Sequence, residues 1–436
     1  MRTLAGAILG LVVAAGGAGA QELDATEQAL IDFVGSHADE QLEFLERIVN
    51  INSGTMNFDG VREVGEIFVD ELSALGFMAE MTDERQNTNR AGHIVAFREG
   101  NRGAKLLLIG HLDTVFEPSS PFQKFVRDGD RATGPGVEDM KGGDAVMLYA
   151  LKALDAVGAL DGAEIRIVIT GDEEFAGQPV DAARAPLIEA AEMSDVALNF
   201  EAGAEGQAVS SRRGSSAWRL ETTGVSAHSS GIFGEEQGAG AIYEAARILS
   251  GFYTELREEY LTYNPGVIVG GTDIDYDPEA TAGSAFGKTN VIAQRAVVDG
   301  DLRFISEEQK ERARMKMREI AARNLPQTSA ELFFLDKYPA MSPTPANAAL
   351  LEFFSDVSAD LGYGPVEGND PARRGAADIS FAAPIVDASM DGLGPFGGRG
   401  HTVEEWMDVP SLRMATERAA VLIYRLTRDG APDFGE

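Results

Sequence analysis

Eight side chains in this sequence have the types and spacing for metal-assisted acid–base chemistry. In "LLLIGHLDTVF", His111 stands just past an apolar run and Asp113 follows two residues later. Residues i and i+2 share one side of extended chain, so Asp113 can reach back to the imidazole and turn its other nitrogen outward. A histidine at a strand end can also serve only a backbone hydrogen bond. "ATGPGVEDMKGGDAV" sets Asp139 at the start of a helix, where N-capping is the ordinary task of Asp. The glycines at 134, 136, 142 and 143 around it leave room for close backbone approach. "TGDEEFAG" places Asp172, Glu173 and Glu174 in a row after the apolar run "EIRIVI". Adjacent like charges at the end of a buried strand are costly unless something positive sits nearby. "NFEAG" puts Glu201 after a third apolar run, and "GPFGGRGHTVEEW" carries His401 behind a glycine-rich loop.

The elements that position these groups follow from hydrophobic periodicity. Runs over 93–97, 104–110, 164–170 and 195–200 read as strands, and "VREVGEIFVDELSALG" and "GGDAVMLYALKALDAVGAL" read as helices. Strands alternating with helices predict an α/β fold, a mostly parallel sheet flanked by helices. His111, Glu173, Glu174 and Glu201 all follow strands, and in open α/β sheets ligands bind beyond such carboxyl ends. Near Arg212 the pattern changes to polar–apolar alternation with two helices among hairpin-like strands. That predicts a smaller α+β domain over 214–329, inserted into a catalytic domain formed by 21–213 and 330–436.

Lys plus Arg number 37 and Asp plus Glu 70, a net charge of −33. So acidic a surface repels nucleic acid and anionic membranes and argues against both as partners. The absence of cysteine excludes disulfides and thiolate metal sites. "MRTLAGAILGLVVAAGGAGAQ" combines an early Arg2, a short apolar centre and Ala18-Gly19-Ala20, the layout of a signal peptide over 1–20 cleaved after Ala20. An exported protein, periplasmic or extracellular, is expected.

Two imidazoles and several carboxylates without thiolate form a hard N/O donor set suited to zinc, cobalt or manganese. Five candidate ligands exceed what one open catalytic zinc requires, and a metal pair sharing one carboxylate explains the number. Such a pair activates water and polarises a carbonyl. The sequence resembles the zinc peptidase and amidohydrolase family of glutamate carboxypeptidase, aminoacylase, acetylornithine deacetylase and succinyl-diaminopimelate desuccinylase. The matching pieces are "GHLDTVF", "GPGVEDMKGG", "GDEEFAG", "NFEAG", "GVSAHSSG", "NVIAQRAVVDGDLRF" and "DGLGPFGGRGHTVEE", in the family's order along nearly the whole chain.

The resemblance implies two Zn²⁺ bridged by Asp139, with His111 and Glu201 completing one site and Glu174 and His401 the other. It implies Glu173 as general base, Asp113 as the partner of His111, and a cis peptide bond after Asp139. It also implies a homodimer through the inserted dimerisation, or lid, domain, with His228 reaching the partner's active site. Asn290 and Arg303 match positions that hold the substrate's terminal carboxylate, and Gly375 and Asp378 a segment that shapes the pocket. Read from its surroundings alone, His228 is a turn residue and Arg303 an exposed charge. Tyr338 in "DKYPAM" stands where glutamate-releasing relatives often carry Arg, which weakens a strict preference for C-terminal glutamate. His37 and His93 match no motif and read as structural, and Asp172 as a turn or capping residue. The expected activity is cleavage of an amide bond next to a free carboxylate, in a small peptide or N-acyl amino acid. Removal of the acyl group from an N-acyl amino acid is the alternative within enzymes, and a solute-binding protein the alternative outside them.

Overall fold

The computed structural model describes residues 22–435, so the expected leader over 1–20 lies outside the described residues. Five strands, β1 (Met78–Met81), β2 (Ile94–Arg98), β3 (Arg102–His111), β4 (Ala163–Thr170) and β5 (Val196–Asn199), join Ala388–Met390 in one sheet. Its spatial order is β1-β2-β4-β3-β5 and then Ala388–Met390. The β4–β3, β3–β5 and β5–388 pairings are parallel, and β1–β2 and β2–β4 are antiparallel. This is the mostly parallel sheet that the alternation of elements predicts.

The central strand explains the sheet. Leu106, Leu107, Leu108 and Ile109 are all fully buried, as a parallel strand covered on both faces requires. Successive side chains point to opposite faces. Leu106 and Leu108 enter a core shared with helices Lys141–Ala156 and Val409–Thr427. Leu107 and Ile109 enter another with Leu187, Ile379 and Phe381. In register, His111 lies opposite Thr170, and Ile109 opposite Asn199. The segments leaving β3, β4 and β5 therefore emerge side by side on one edge. Helix Lys141–Ala156 starts at that edge because Gly143 lets it approach β5; a Cβ there would sit 1.7 Å from the Phe200 carbonyl oxygen.

The smaller unit is an antiparallel sheet of β6 (Gly214–Gly224), β7 (Thr262–Gly271), β8 (Arg295–Phe304) and β9 (Thr328–Tyr338), in the order β7-β8-β6-β9. Helices Ala241–Glu255 and Glu307–Ala321 cover one face over a core including Trp218, Leu220, Phe252, Val298 and Met317. One boundary is corrected. The sequence reading returned the chain to the catalytic domain at residue 330, but β9 pairs with β6 from Thr328 to Tyr338. Its alternation suits either sheet, and Ala330, Leu332 and Phe334 are the face that meets the smaller core. The chain crosses between the units where Arg212 and Met341 pair in both directions, at 2.9 and 3.1 Å.

Leu108→Ala empties a fully buried site in the centre of the large sheet and is expected to lower the unfolding free energy by about 2–5 kcal/mol, measured by chemical denaturation.

Candidate active site

The edge beyond β3, β4 and β5 gathers the groups singled out in the sequence. His111 closes β3, and its Nε2 lies 3.2 Å from Oδ1 of Asp139 and 3.7 Å from Oε1 of Glu201. His401, on the loop before the last helix, places Nε2 3.1 Å from the other oxygen of Asp139, Oδ2, and 3.0 Å from Oε2 of Glu174. Two clusters result, His111–Asp139–Glu201 and Asp139–Glu174–His401, each with its ligand atoms within 4.8 Å of one another. Asp139 belongs to both, with a different oxygen in each. The Asp139–Met140 peptide bond is cis. Met140, not Asp139, immediately precedes the helix, and no side chain caps it.

Asp113 does more than face His111. The imidazole Nδ1 lies 3.0 Å from the Asp113 carbonyl oxygen and 3.5 Å from its Oδ1, so the main chain is the nearer partner. The Asp113 carboxylate accepts hydrogen bonds from Thr55 Oγ1 at 2.6 Å, the Glu173 amide at 3.0 Å and the Glu174 amide at 3.2 Å. One buried anion thus fixes the backbone of both neighbouring glutamates. Asp172 is buried on the other side of that backbone. Its Oδ2 accepts from the Gly177 amide at 2.8 Å, the turn role expected of it, and its Oδ1 from Arg184 Nη1 at 2.6 Å.

Sequence reasoning missed three supports. Arg184 is wholly buried and also donates to Asp378 Oδ1 at 2.7 Å and the Tyr338 hydroxyl at 3.2 Å. The Glu405 carboxylate accepts from the amides of Gly136, Glu138 and Asp139, pinning the turn that presents Asp139. Arg212 pairs with Asp391 at 2.5 Å and donates to the Gly375 carbonyl at 3.0 Å. The adjacency of Glu405 to the His401 motif is the one local signal that could have found any of them.

The expected substrate residues are only partly brought together. Arg303 and Gly375 line one cleft of about 430 Å³ with Arg213, Arg373 and Arg374, and Arg303 also bonds Asp301 at 2.7 Å. Arg374 donates to the carbonyl of Ala202, next to Glu201, which sets this cleft beside the clusters. His228 and Asn290 are exposed neighbours in the smaller unit, joined by the Ser229 amide donating to the Asn290 carbonyl at 2.9 Å, and neither belongs to a cluster. Asp378 is a correction. It is buried, and its oxygens are taken by Arg184 and by Thr170 Oγ1 at 2.6 Å, so it supports the strand end instead of facing a ligand. His93 is buried and accepts from the Gly171 amide at 3.3 Å, while His37 joins two helices and stacks on Phe33. Both are structural, as expected.

The electrostatics are those of crowded acids. Burial, together with Asp139, raises Glu201 to about 8. Burial raises Glu138 to about 7 and Glu405 to about 8, each helped by the charge of Asp139. Burial also pushes Glu173 well above the usual carboxylate range, with Glu201 and Asp378 adding to the shift and His111 opposing it. Hydrogen bonds to Asp139 and Glu174 lift His401 to about 11. Burial pulls His111 down, but Asp113 and Asp139 outweigh it and hold the imidazole well above its ordinary value. Such an arrangement calls for cations. Each cluster offers one imidazole and two carboxylates, a donor set that fits zinc, cobalt or manganese. Glu174 Oε1 is buried without a hydrogen-bond partner, as a ligand awaiting a cation would be.

Comparison with known proteins agrees with this geometry. Residues 107–425 match the model of peptidase family M20/M25/M40, and the chain belongs to that family. It is an enzyme of the metallopeptidase and amidohydrolase type. Carboxypeptidase G2 of Pseudomonas sp. is 26% identical over 98% of both chains. Succinyl-diaminopimelate desuccinylase of Hydrogenovibrio crunogenus is 26% identical over 89% of this chain and 98% of its own. Among solved structures, the aminopeptidase PepT of Bacillus cereus superposes with a TM-score of 0.69 at 18% identity, covering 89% of this chain and 98% of that one. The Bacillus subtilis YXEP protein, described as a dinuclear metal-binding peptidase of the M20 family, does so with a TM-score of 0.62 at 14% identity, covering 90% and 99%.

A pH dependence follows for protein stripped of divalent ions. Glu138, Glu201 and Glu405 each titrate higher when folded than the ordinary value of 4.5, at about 7, 8 and 8. Between those limits the folded chain holds more protons than the unfolded chain, so stability falls as pH rises. His401, raised from 6.5, acts in the same direction above that value. The melting temperature of the stripped protein is expected to fall from pH 5 to pH 8; a rise across this window contradicts the assignment.

Proposed function

We propose that the protein is a di-zinc hydrolase that cleaves an amide bond next to a free carboxylate, releasing a C-terminal amino acid from a peptide or N-acyl amino acid. The observation that carries this reading is the division of Asp139, one oxygen toward His111 and the other toward His401. In this reading His111, Asp139 and Glu201 hold one ion, and Asp139, Glu174 and His401 hold the other. Bound dications supply Lewis acidity to the scissile carbonyl and lower the pKa of water.

The chain's own residues do the rest. Glu173 takes a proton from the attacking water and delivers it to the leaving nitrogen, so amide and water become carboxylate and amine. Its place beside Glu174 is set by their two amides, which share the Asp113 carboxylate. Arg303, in the arginine-lined cleft, takes the terminal carboxylate, for which a guanidinium fork is suited. Asn290 is assigned to the same carboxylate, and His228, from a second subunit, to the developing oxyanion, to which it donates. The proposal therefore includes a homodimer through the inserted domain, and export directed by residues 1–20. Among the described residues no helix is long and apolar enough to cross a membrane.

The test is a release assay with zinc-loaded protein and a panel of dipeptides and N-acyl amino acids differing in the C-terminal residue. Hydrolysis of at least one member is expected, with Glu173→Ala reducing turnover about 10²-fold or more. Failure on the whole panel, or full activity of Glu173→Ala, contradicts the mechanism. Arg303→Ala is expected to raise KM about tenfold, the loss of one charge-assisted contact, with a smaller change in turnover. An unchanged KM removes Arg303 from the carboxylate site. Preference within the panel separates a peptidase from an acyl-amino-acid deacylase.

A further inference from the structure

We propose that Tyr338, the last residue of the inserted sheet, is a positioning residue for the segment that carries Glu173. The inference rests on the reading of Glu173 as general base and adds a residue to it. Tyr338 closes β9 at an irregularity. Asp336 lies opposite Ser216, and after a register shift Tyr338 lies opposite Ser215. A bulge of this kind bends the strand and re-aims a side chain. Here the phenol enters the catalytic unit, edge-on to Phe381 with ring centroids 5.0 Å apart.

Its hydroxyl stands between two partners. Arg184 Nη2 lies 3.2 Å away and the Glu173 carbonyl oxygen 3.4 Å away. A guanidinium only donates, so the phenolic oxygen accepts from Arg184 and the phenolic hydrogen is left for the Glu173 carbonyl. Arg184 is itself immobilised by Asp378 Oδ1, Asp172 Oδ1 and the Asp172 carbonyl, at 2.7, 2.6 and 3.2 Å. The hydroxyl is therefore anchored on its far side and bears on Glu173 on its near side. Asp113 holds the amide of Glu173. Tyr338 holds its carbonyl, so both polar groups of the Glu173 backbone are tied.

Just beyond Tyr338, the chain makes the paired crossing at Arg212 and Met341. The strand that leaves the inserted sheet thus touches the base-bearing loop at the junction of the two units. From the sequence Tyr338 is only a departure from the Arg of glutamate-releasing relatives; the fold gives it a further role. Its polar atom is directed at Arg184 and Glu173.

Tyr338→Phe removes the hydroxyl and keeps the ring against Phe381. With the best substrate of the panel above, turnover is expected to fall about tenfold or more, as displacement of a reacting group is costly. KM is expected to stay within about twofold of wild type, the pattern of an interaction that serves the transition state. Bound zinc should be unchanged, and amide hydrogen exchange over 171–177 should quicken while 104–111 keeps its protection. Unchanged turnover, a rise in KM alone, or unaltered exchange over 171–177 overturns the proposal. The exchange measurement decides the matter without any substrate. Glu173→Ala is measured in parallel. If it retains full turnover, the base assignment fails and the inference with it. If it is inactive while Tyr338→Phe is unimpaired, only the role of Tyr338 falls.

Discussion

The site depends on one buried carboxylate, that of Asp113. It accepts the amides of Glu173 and Glu174 and the hydroxyl of Thr55, while its own main chain faces the imidazole of His111. Burial favours its protonated form, but the adjacent imidazole of His111, with the Thr55 hydroxyl and the Glu173 amide adding to it, outweighs burial and holds the carboxyl below its ordinary value. Asp113 lies just past the end of β3, whereas the glutamates lie just past the end of β4. Parallel pairing of those strands, with His111 opposite Thr170, brings the two segments level. Register in the sheet is thereby converted into the relative position of a metal-ligand candidate and a base candidate.

Around this anion the chain spends further buried charge on rigidity. Arg184 clasps Asp172 and Asp378, Arg212 clasps Asp391, and Glu405 collects three amides near Asp139. Such pairs are poor sources of net stability, because desolvation opposes their attraction. Their value here is geometric. Acids raised by burial and by one another make a centre that is unfavourable by itself and favourable around divalent cations. Stability given up locally in this way is characteristic of sites where chemistry occurs.

Much of this was legible in the sequence, for a physical reason. His111, Glu173, Glu174 and Glu201 follow apolar strands, so their placement follows from the carboxyl-edge rule, whereas Asp139 and His401, set among glycines, were assigned to the site by the family resemblance. The supports were not legible. Arg184 is defined by partners at 172, 338 and 378, which only the fold assembles. Asp378 was placed at the pocket with Gly375 by resemblance to a family segment; burial separates the two. β9 was assigned to the wrong sheet because alternation reports a half-buried strand without naming its partner. Tyr338 was read through a substitution at a substrate position, and its actual direction depends on a bulge that no single-sequence pattern reveals.

The central claim is that Asp139 joins two metal ions. Anomalous scattering from crystals of the zinc-loaded protein tests it most directly. The account predicts two zinc peaks per chain, about 3.5–4 Å apart as in other two-metal sites, with one Asp139 oxygen on each. A single peak, or two peaks with Asp139 bound to only one, would contradict it.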